Sequence, residues 1–78
     1  MFLTAQSVID FLKNSLNVDS WIDASTRLFS TGLLDSVAMM NLIGFVESTT
    51  RIEVHPADVT LDNFDSVGRI VQYANAQQ

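Results

Sequence analysis

Apolar residues recur along this chain at helical spacing in three separate runs. Between Thr4 and Leu16, the residues Val8, Ile9, Leu12 and Leu16 fall three or four apart, with Gln6, Asp10, Lys13 and Asn14 between them. That is the period of a helix burying one face, with Thr4 placed to cap its start and the pattern ending at Asn17. A second helix is predicted from about Ser36 to Thr49. Advancing each residue by about 100° puts Met39, Leu42, Ile43 and Val46 on one face, flanked by Ala38 and Phe45. The opposite face carries Asn41, Gly44, Glu47 and Ser48, which should be wet, yet Val37 and Met40 project from that side within a turn of Ser36. The last helix begins at Asp65-Ser66, either of which can cap it, and Val67, Ile70, Val71 and Ala74 form its apolar face. Tyr73 lies at the edge of that face, and Asn75 to Gln78 are expected to fray.

The stretches between these helices have no clean period. From Asn17 to Leu34 the chain carries Trp21-Ile22 and Leu28-Phe29, two apolar anchors that would pin a connection unusually long for so small a protein. Trp21 is expected as a lid over the core, and Gly32 as the turn residue leading into the second helix. After Arg51, Ile52-Glu53-Val54-His55 alternates like a strand, but no second strand exists to pair with it, so an extended connector is predicted. Pro56 to Val59 reads as one helical turn, with Leu61 and Phe64 anchoring the loop that follows. The predicted fold is all-α: a small four-helix bundle of three main helices and one short one, with a long loop between the first two. Residues 1–78 form a single domain in this reading.

Composition narrows the means of stabilisation. With no Cys and His55 as the only histidine, disulfides are excluded and a structural zinc is disfavoured, so the 47% hydrophobic content must supply a packed core. Nine acidic residues against four basic ones give a net charge of −5, which repels nucleic-acid phosphates and anionic membranes and suits partners with basic patches. No basic region precedes a long apolar segment at the N-terminus, and runs such as Leu42-Ile43-Gly44-Phe45-Val46 fall far short of the roughly 20 residues that span a bilayer. A cytoplasmic monomer is expected.

Catalysis by this chain alone is hard to build. A nucleophilic serine needs a base and a group to orient it, the only imidazole lies in a connector, and Leu34 and Ala38 stand where a nucleophile elbow needs glycines. Asp58, Asp62 and Asp65 lack the glycine and terminal glutamate of a calcium loop and read as a solvated acidic edge. What remains is Asp35-Ser36. Its ordinary role is a helix cap, and the same position favours a phosphate attached at the helix start, beside free N–H groups and the positive end of the macrodipole.

The run Leu28-Phe29-Ser30-Thr31-Gly32-Leu33-Leu34-Asp35-Ser36, then an apolar helix, then Ile52-Glu53-Val54, then Asn63-Phe64-Asp65-Ser66-Val67 and a final helix, resembles the acyl carrier and peptidyl carrier protein family. The likeness covers nearly the whole chain, to about Ala74. It implies that Ser36 carries 4′-phosphopantetheine, attached from coenzyme A by a separate phosphopantetheinyl transferase, with Asp35 the preceding motif residue. The arm's thiol would hold an acyl or aminoacyl group as a thioester, and the absence of Cys leaves that thiol without an intramolecular competitor. The resemblance makes the second helix the surface read by partner enzymes, with Leu34, Val37 and Met40 as docking side chains. In the fatty-acid-synthesis type that helix is dense in acidic residues, whereas here it retains only Glu47 behind Asp35. The motif is closer to discrete carriers loaded by an adenylating acyl- or aminoacyl-ligase, which a free-standing chain would meet, with its downstream acyl-accepting enzymes, by diffusion. The alternative is an unmodified helical protein–protein interaction module with a carrier-like fold.

Overall fold

A computed structural model describes residues 2–78, which are helical with no strand among them. Helix α1 spans Ala5–Asn14, α2 Ser36–Thr50, α3 Leu61–Phe64 and α4 Val67–Ala76, with a 3₁₀ turn at Pro56–Asp58. The all-α architecture of three main helices and a short one, with a long loop between the first two, is the one the periodicity predicts.

Each main helix starts where a side-chain oxygen is available. Thr4 Oγ1 accepts the Ser7 N–H at 3.2 Å at the head of α1, and Ser66 Oγ accepts the Arg69 N–H at 3.2 Å at the head of α4. Asn17 and Arg51, both in the left-handed region at φ 56° and 65°, turn the chain after α1 and α2. The core is assembled from Val8 and Leu12 of α1, Leu42 and Val46 of α2, and Val67, Ile70 and Ala74 of α4. Phe64 of α3 and Leu28 of the long loop are also fully buried. Each of the Val, Leu, Ile and Phe side chains contributes about 1.5–3 kcal/mol by leaving water. Phe11 stacks on Phe45 at 4.4 Å between ring centroids, joining α1 to α2 at the rim.

Four expectations need correction. Leu61–Phe64 is a helical turn and not a loop: the Thr60 carbonyl accepts the N–H groups of Asn63 and Phe64 at 3.2 and 2.9 Å, and a single turn is too short to show a period. Trp21 is 75% exposed, and its neighbour Ile22 enters the core in its place. The α4 C-terminus does not fray at Asn75, because Asn75 Oδ1 accepts the Leu3 N–H at 2.7 Å while its Nδ2 donates to the Leu3 carbonyl at 3.0 Å. Glu47 is not simply wet: its carboxylate accepts the Val54 N–H at 2.9 Å and straps the 52–55 connector to α2.

The long loop is fixed by Asp65, which is 0% exposed. Its Oδ1 accepts the N–H groups of Phe29 and Ser30 at 2.7 and 2.9 Å, its backbone carbonyl accepts the Leu28 N–H at 2.7 Å, and Oδ2 lies 3.4 Å from the Arg27 guanidinium. Farther back, Gly68 N–H donates to the Ala24 carbonyl at 2.8 Å, an approach so close that a Cβ on Gly68 would sit 3.1 Å from that oxygen. The 24–30 segment is therefore anchored to the start of α4 before the chain turns into α2.

Candidate functional site

From this anchored segment the chain reaches α2 through a compact turn. Gly32, at φ 81°, donates its N–H to the Phe29 carbonyl at 3.0 Å, and Leu34 donates to the Leu28 carbonyl at 2.8 Å. Leu34 is only 9% exposed and belongs to the core, so of the expected docking side chains it is the one not offered to a partner. Its burial sets the depth at which Asp35 and Ser36 emerge.

Asp35, in extended conformation, is the N-cap of α2: Oδ1 accepts the Ala38 N–H at 2.9 Å and its carbonyl accepts the Met39 N–H at 3.0 Å. Ser36 is the first residue of the helix and not its cap. The division matters chemically. With the capping done by Asp35, the exposed Ser36 hydroxyl has no hydrogen-bond partner among the described residues. The N–H groups of Ser36 and Val37, both exposed residues, precede the first acceptor that α2 can provide, at the positive end of a 15-residue helix. A phosphodiester on Ser36 Oγ would meet those donors, so the residues present fit an anionic attachment there.

No imidazole or carboxylate hydrogen-bonds the Ser36 hydroxyl among the described residues, and His55 lies in the connector on the far side of α2 in sequence. On the exposed flank of α2, Val37 and Met40 are 63% and 73% exposed and form the apolar surface within a turn of Ser36. Adjoining this surface at Val37, a groove of about 500 Å³ runs between the residues that follow α1 and the first turn of α2. Asp35 and Val37, the two neighbours of Ser36, both line it.

The acidic residues divide by environment. Asp65 is not part of a solvated edge: burial pushes its carboxyl up, but hydrogen bonds from Ser30, Phe29 and Arg27 prevail and hold it well below the usual carboxylate range. Asp58 accepts the Tyr73 hydroxyl at 2.7 Å; burial and this anionic partner push the phenol up to about 12. Asp23 closes a turn by accepting from Ser25 and Thr26, and the Ser25 N–H above all lowers its pKa. Asp62 alone of the three expected edge residues is exposed without a hydrogen bond to the described residues.

Sequence reasoning expected Asp35-Ser36 at the head of α2 with Val37 and Met40 exposed beside it, and the structure places them there; it read Asp65 as a helix cap or part of a solvated edge and not as the residue that positions the loop ahead of them. The local sequence Asn63-Phe64-Asp65-Ser66-Val67 carries little signal of this, because three of its five residues are polar and an aspartate before a serine reads as a helix start. Comparison of the chain with protein-family models, with curated proteins and with solved structures finds no match. No helix among the described residues is long and apolar enough to cross a membrane.

Proposed function

We propose that this protein is an acyl or aminoacyl carrier whose Ser36 is the attachment point of 4′-phosphopantetheine. The observation that carries this reading is the exposed hydroxyl of Ser36 at the first position of α2, without a hydrogen-bond partner among the described residues and freed from capping by Asp35. In the modification, Ser36 Oγ forms a bond to the pantetheine-side phosphorus of coenzyme A, and the pyrophosphate P–O bond breaks. Adenosine 3′,5′-bisphosphate leaves, and the hydroxyl proton passes to a base on the phosphopantetheinyl transferase. The N–H groups of Ser36 and Val37, free of intrahelical acceptors, would be the donors that hold a phosphodiester anion at the helix start. When bound, the group supplies a thiol that holds a carboxylic or amino acid as a thioester for transfer to partner enzymes.

Val37 and Met40 are the docking side chains for the transferase, for an adenylating ligase that loads the arm and for the enzymes that accept the cargo. The chain itself does no catalysis in this reading and works as a cytoplasmic monomer. Intact mass is the test. Co-expression with a broad-specificity phosphopantetheinyl transferase should add one phosphopantetheinyl group to the wild type and none to Ser36→Ala; no added mass, or equal addition to both, rejects the proposal.

The exposed Val37–Met40 surface also supports an unmodified protein-interaction module. The two readings separate in cells, where Ser36→Ala retains full function in the interaction module and loses it in the carrier.

A further inference from the structure

We propose that Asp65, at the junction of α3 and α4, is a positioning residue for the modification of Ser36 and acts on it through the turn from Leu28 to Leu34. The inference rests on the carrier reading and adds to it a distant residue that sets where the hydroxyl stands.

The link is a short run of hydrogen bonds. The Asp65 backbone carbonyl accepts the Leu28 N–H at 2.7 Å, and the Leu28 carbonyl accepts the Leu34 N–H at 2.8 Å. One residue, Leu28, thus joins the α3–α4 junction to the residue directly before Asp35-Ser36. Between these ends the Gly32 N–H closes the turn on the Phe29 carbonyl at 3.0 Å, and Asp65 Oδ1 holds it by accepting the N–H groups of Phe29 and Ser30. Successive backbone N–H groups aimed at one anionic oxygen form a fixed concave geometry. Leu28 and Leu34 are both buried, so each end of the turn is seated in the core.

Ser36 depends on this turn more than the rest of α2 does. Its N–H precedes every acceptor in the helix and its hydroxyl bonds to no described residue, so on its N-terminal side its place is set by Leu34 and Asp35. Farther along, Leu42 and Val46 fix α2 in the core independently of the turn. Loosening the turn therefore displaces the hydroxyl while the helix that carries Val37 and Met40 stays in place. In a transfer where Oγ must meet phosphorus in line, a misplacement of about 1 Å can lower the rate about a hundredfold. Loss of docking would instead raise KM.

The two carboxylate oxygens have separate tasks. Oδ1 takes both turn N–H groups, whereas Oδ2 faces the Arg27 guanidinium at 3.4 Å. Asp65→Asn retains an acceptor at the Oδ1 position and loses the charge; Asp65→Ala loses both.

The test is steady-state kinetics of a phosphopantetheinyl transferase at saturating coenzyme A, with the carrier as varied substrate, intact mass as readout and the folded fraction of each variant measured in urea. Asp65→Ala should lower kcat about ten- to a hundredfold and leave KM within about twofold of wild type once corrected for folded fraction. Asp65→Asn should recover kcat to within about threefold of wild type despite its lower stability. A residue that only stabilises the fold behaves differently: an unfolded fraction dilutes the substrate, so apparent KM rises as the inverse of the folded fraction and kcat is unchanged. That pattern, or a kcat as low in Asp65→Asn as in Asp65→Ala, overturns the inference and leaves the carrier reading in place. If Asp65→Ala does not fold, Gly32→Ala decides by the same criteria. It strains the turn at φ 81° from the other side, and its Cβ meets no atom within 4 Å, so the fold stands. A fall in its kcat at constant KM supports the inference, and an unchanged kcat overturns it. Failure of the wild type to gain mass overturns the carrier reading as well.

Discussion

A carboxylate without exposed surface is tolerated only where donors converge on it, and Asp65 gathers them from the loop that leads to the candidate site. Asp65→Asn keeps the shape but replaces one acceptor oxygen with a donor and removes the charge, which should cost about 2–4 kcal/mol in urea denaturation. The same group sets an acid limit. Its folded-state pKa lies below the ordinary carboxyl value of 3.8, so its contribution is complete above that value and is lost progressively as the pH falls below about 4. Wild-type stability should therefore hold between pH 7 and about 5 and decline below about 4, with a shallower decline in Asp65→Asn. A second contrast tests how Asp35 and Ser36 divide their roles. Asp35→Ala removes the cap that accepts the Ala38 N–H and should cost about 1 kcal/mol, whereas Ser36→Ala should stay within about 0.5 kcal/mol of wild type. Equal losses in denaturation would mean that the Ser36 hydroxyl has a structural role after all.

Elements differ in how far their own sequence specifies them. Helices α1, α2 and α4 run ten residues or more, long enough for apolar spacing to reveal them, and the caps at Thr4 and Ser66 use residue types that favour such positions. Helix α3 has four residues and shows no period, so Leu61 and Phe64 read equally well as loop anchors. Contacts across the chain are harder to read. Nothing local distinguishes Trp21, which stays in water, from Ile22, which does not, because the choice depends on which side of the loop faces the helices. Leu34 was likewise readable as apolar but not as buried. Asn75 shows the same limit: its clasp on Leu3 spans 72 positions, and a polar residue near a terminus resembles a fraying end. Asn75→Ala removes both hydrogen bonds and should cost about 1–2 kcal/mol. Hydrogen exchange gives the local readout, with the Leu3 amide losing its protection while amides of the α2 core, such as Val46, keep theirs relative to global stability.

At the scale of the whole molecule, the net charge of −5 suggests recognition by electrostatic attraction, yet the fold already uses most of its acidic groups. Of the nine, Asp10, Asp23, Asp35, Glu47, Asp58 and Asp65 accept hydrogen bonds within the chain. On the face around Ser36, the acidic groups of α2 and its cap, Asp35 and Glu47, are thus committed to the cap and the connector, while Val37 and Met40 stand clear of the surface. A partner reaching Ser36 therefore meets the apolar surface of Val37 and Met40 beside two exposed carboxylates, Asp35 and Asp19. Two measurements on the transferase reaction discriminate the terms. Met40→Ser should leave stability within about 0.5 kcal/mol, since the side chain is exposed, and lower kcat/KM about tenfold, the loss expected of an apolar contact at the centre of an interface. Raising salt from about 50 to about 300 mM should change kcat/KM of the wild type by less than about threefold, because apolar contact with Val37 and Met40 carries the docking and, of the carboxylates beside Ser36, Asp19 alone has no internal bond among the described residues. A steep salt dependence with an unaffected Met40→Ser would reverse this ordering and shift the docking surface to Asp19, Glu53 and Asp62, the carboxylates without a bond among the described residues.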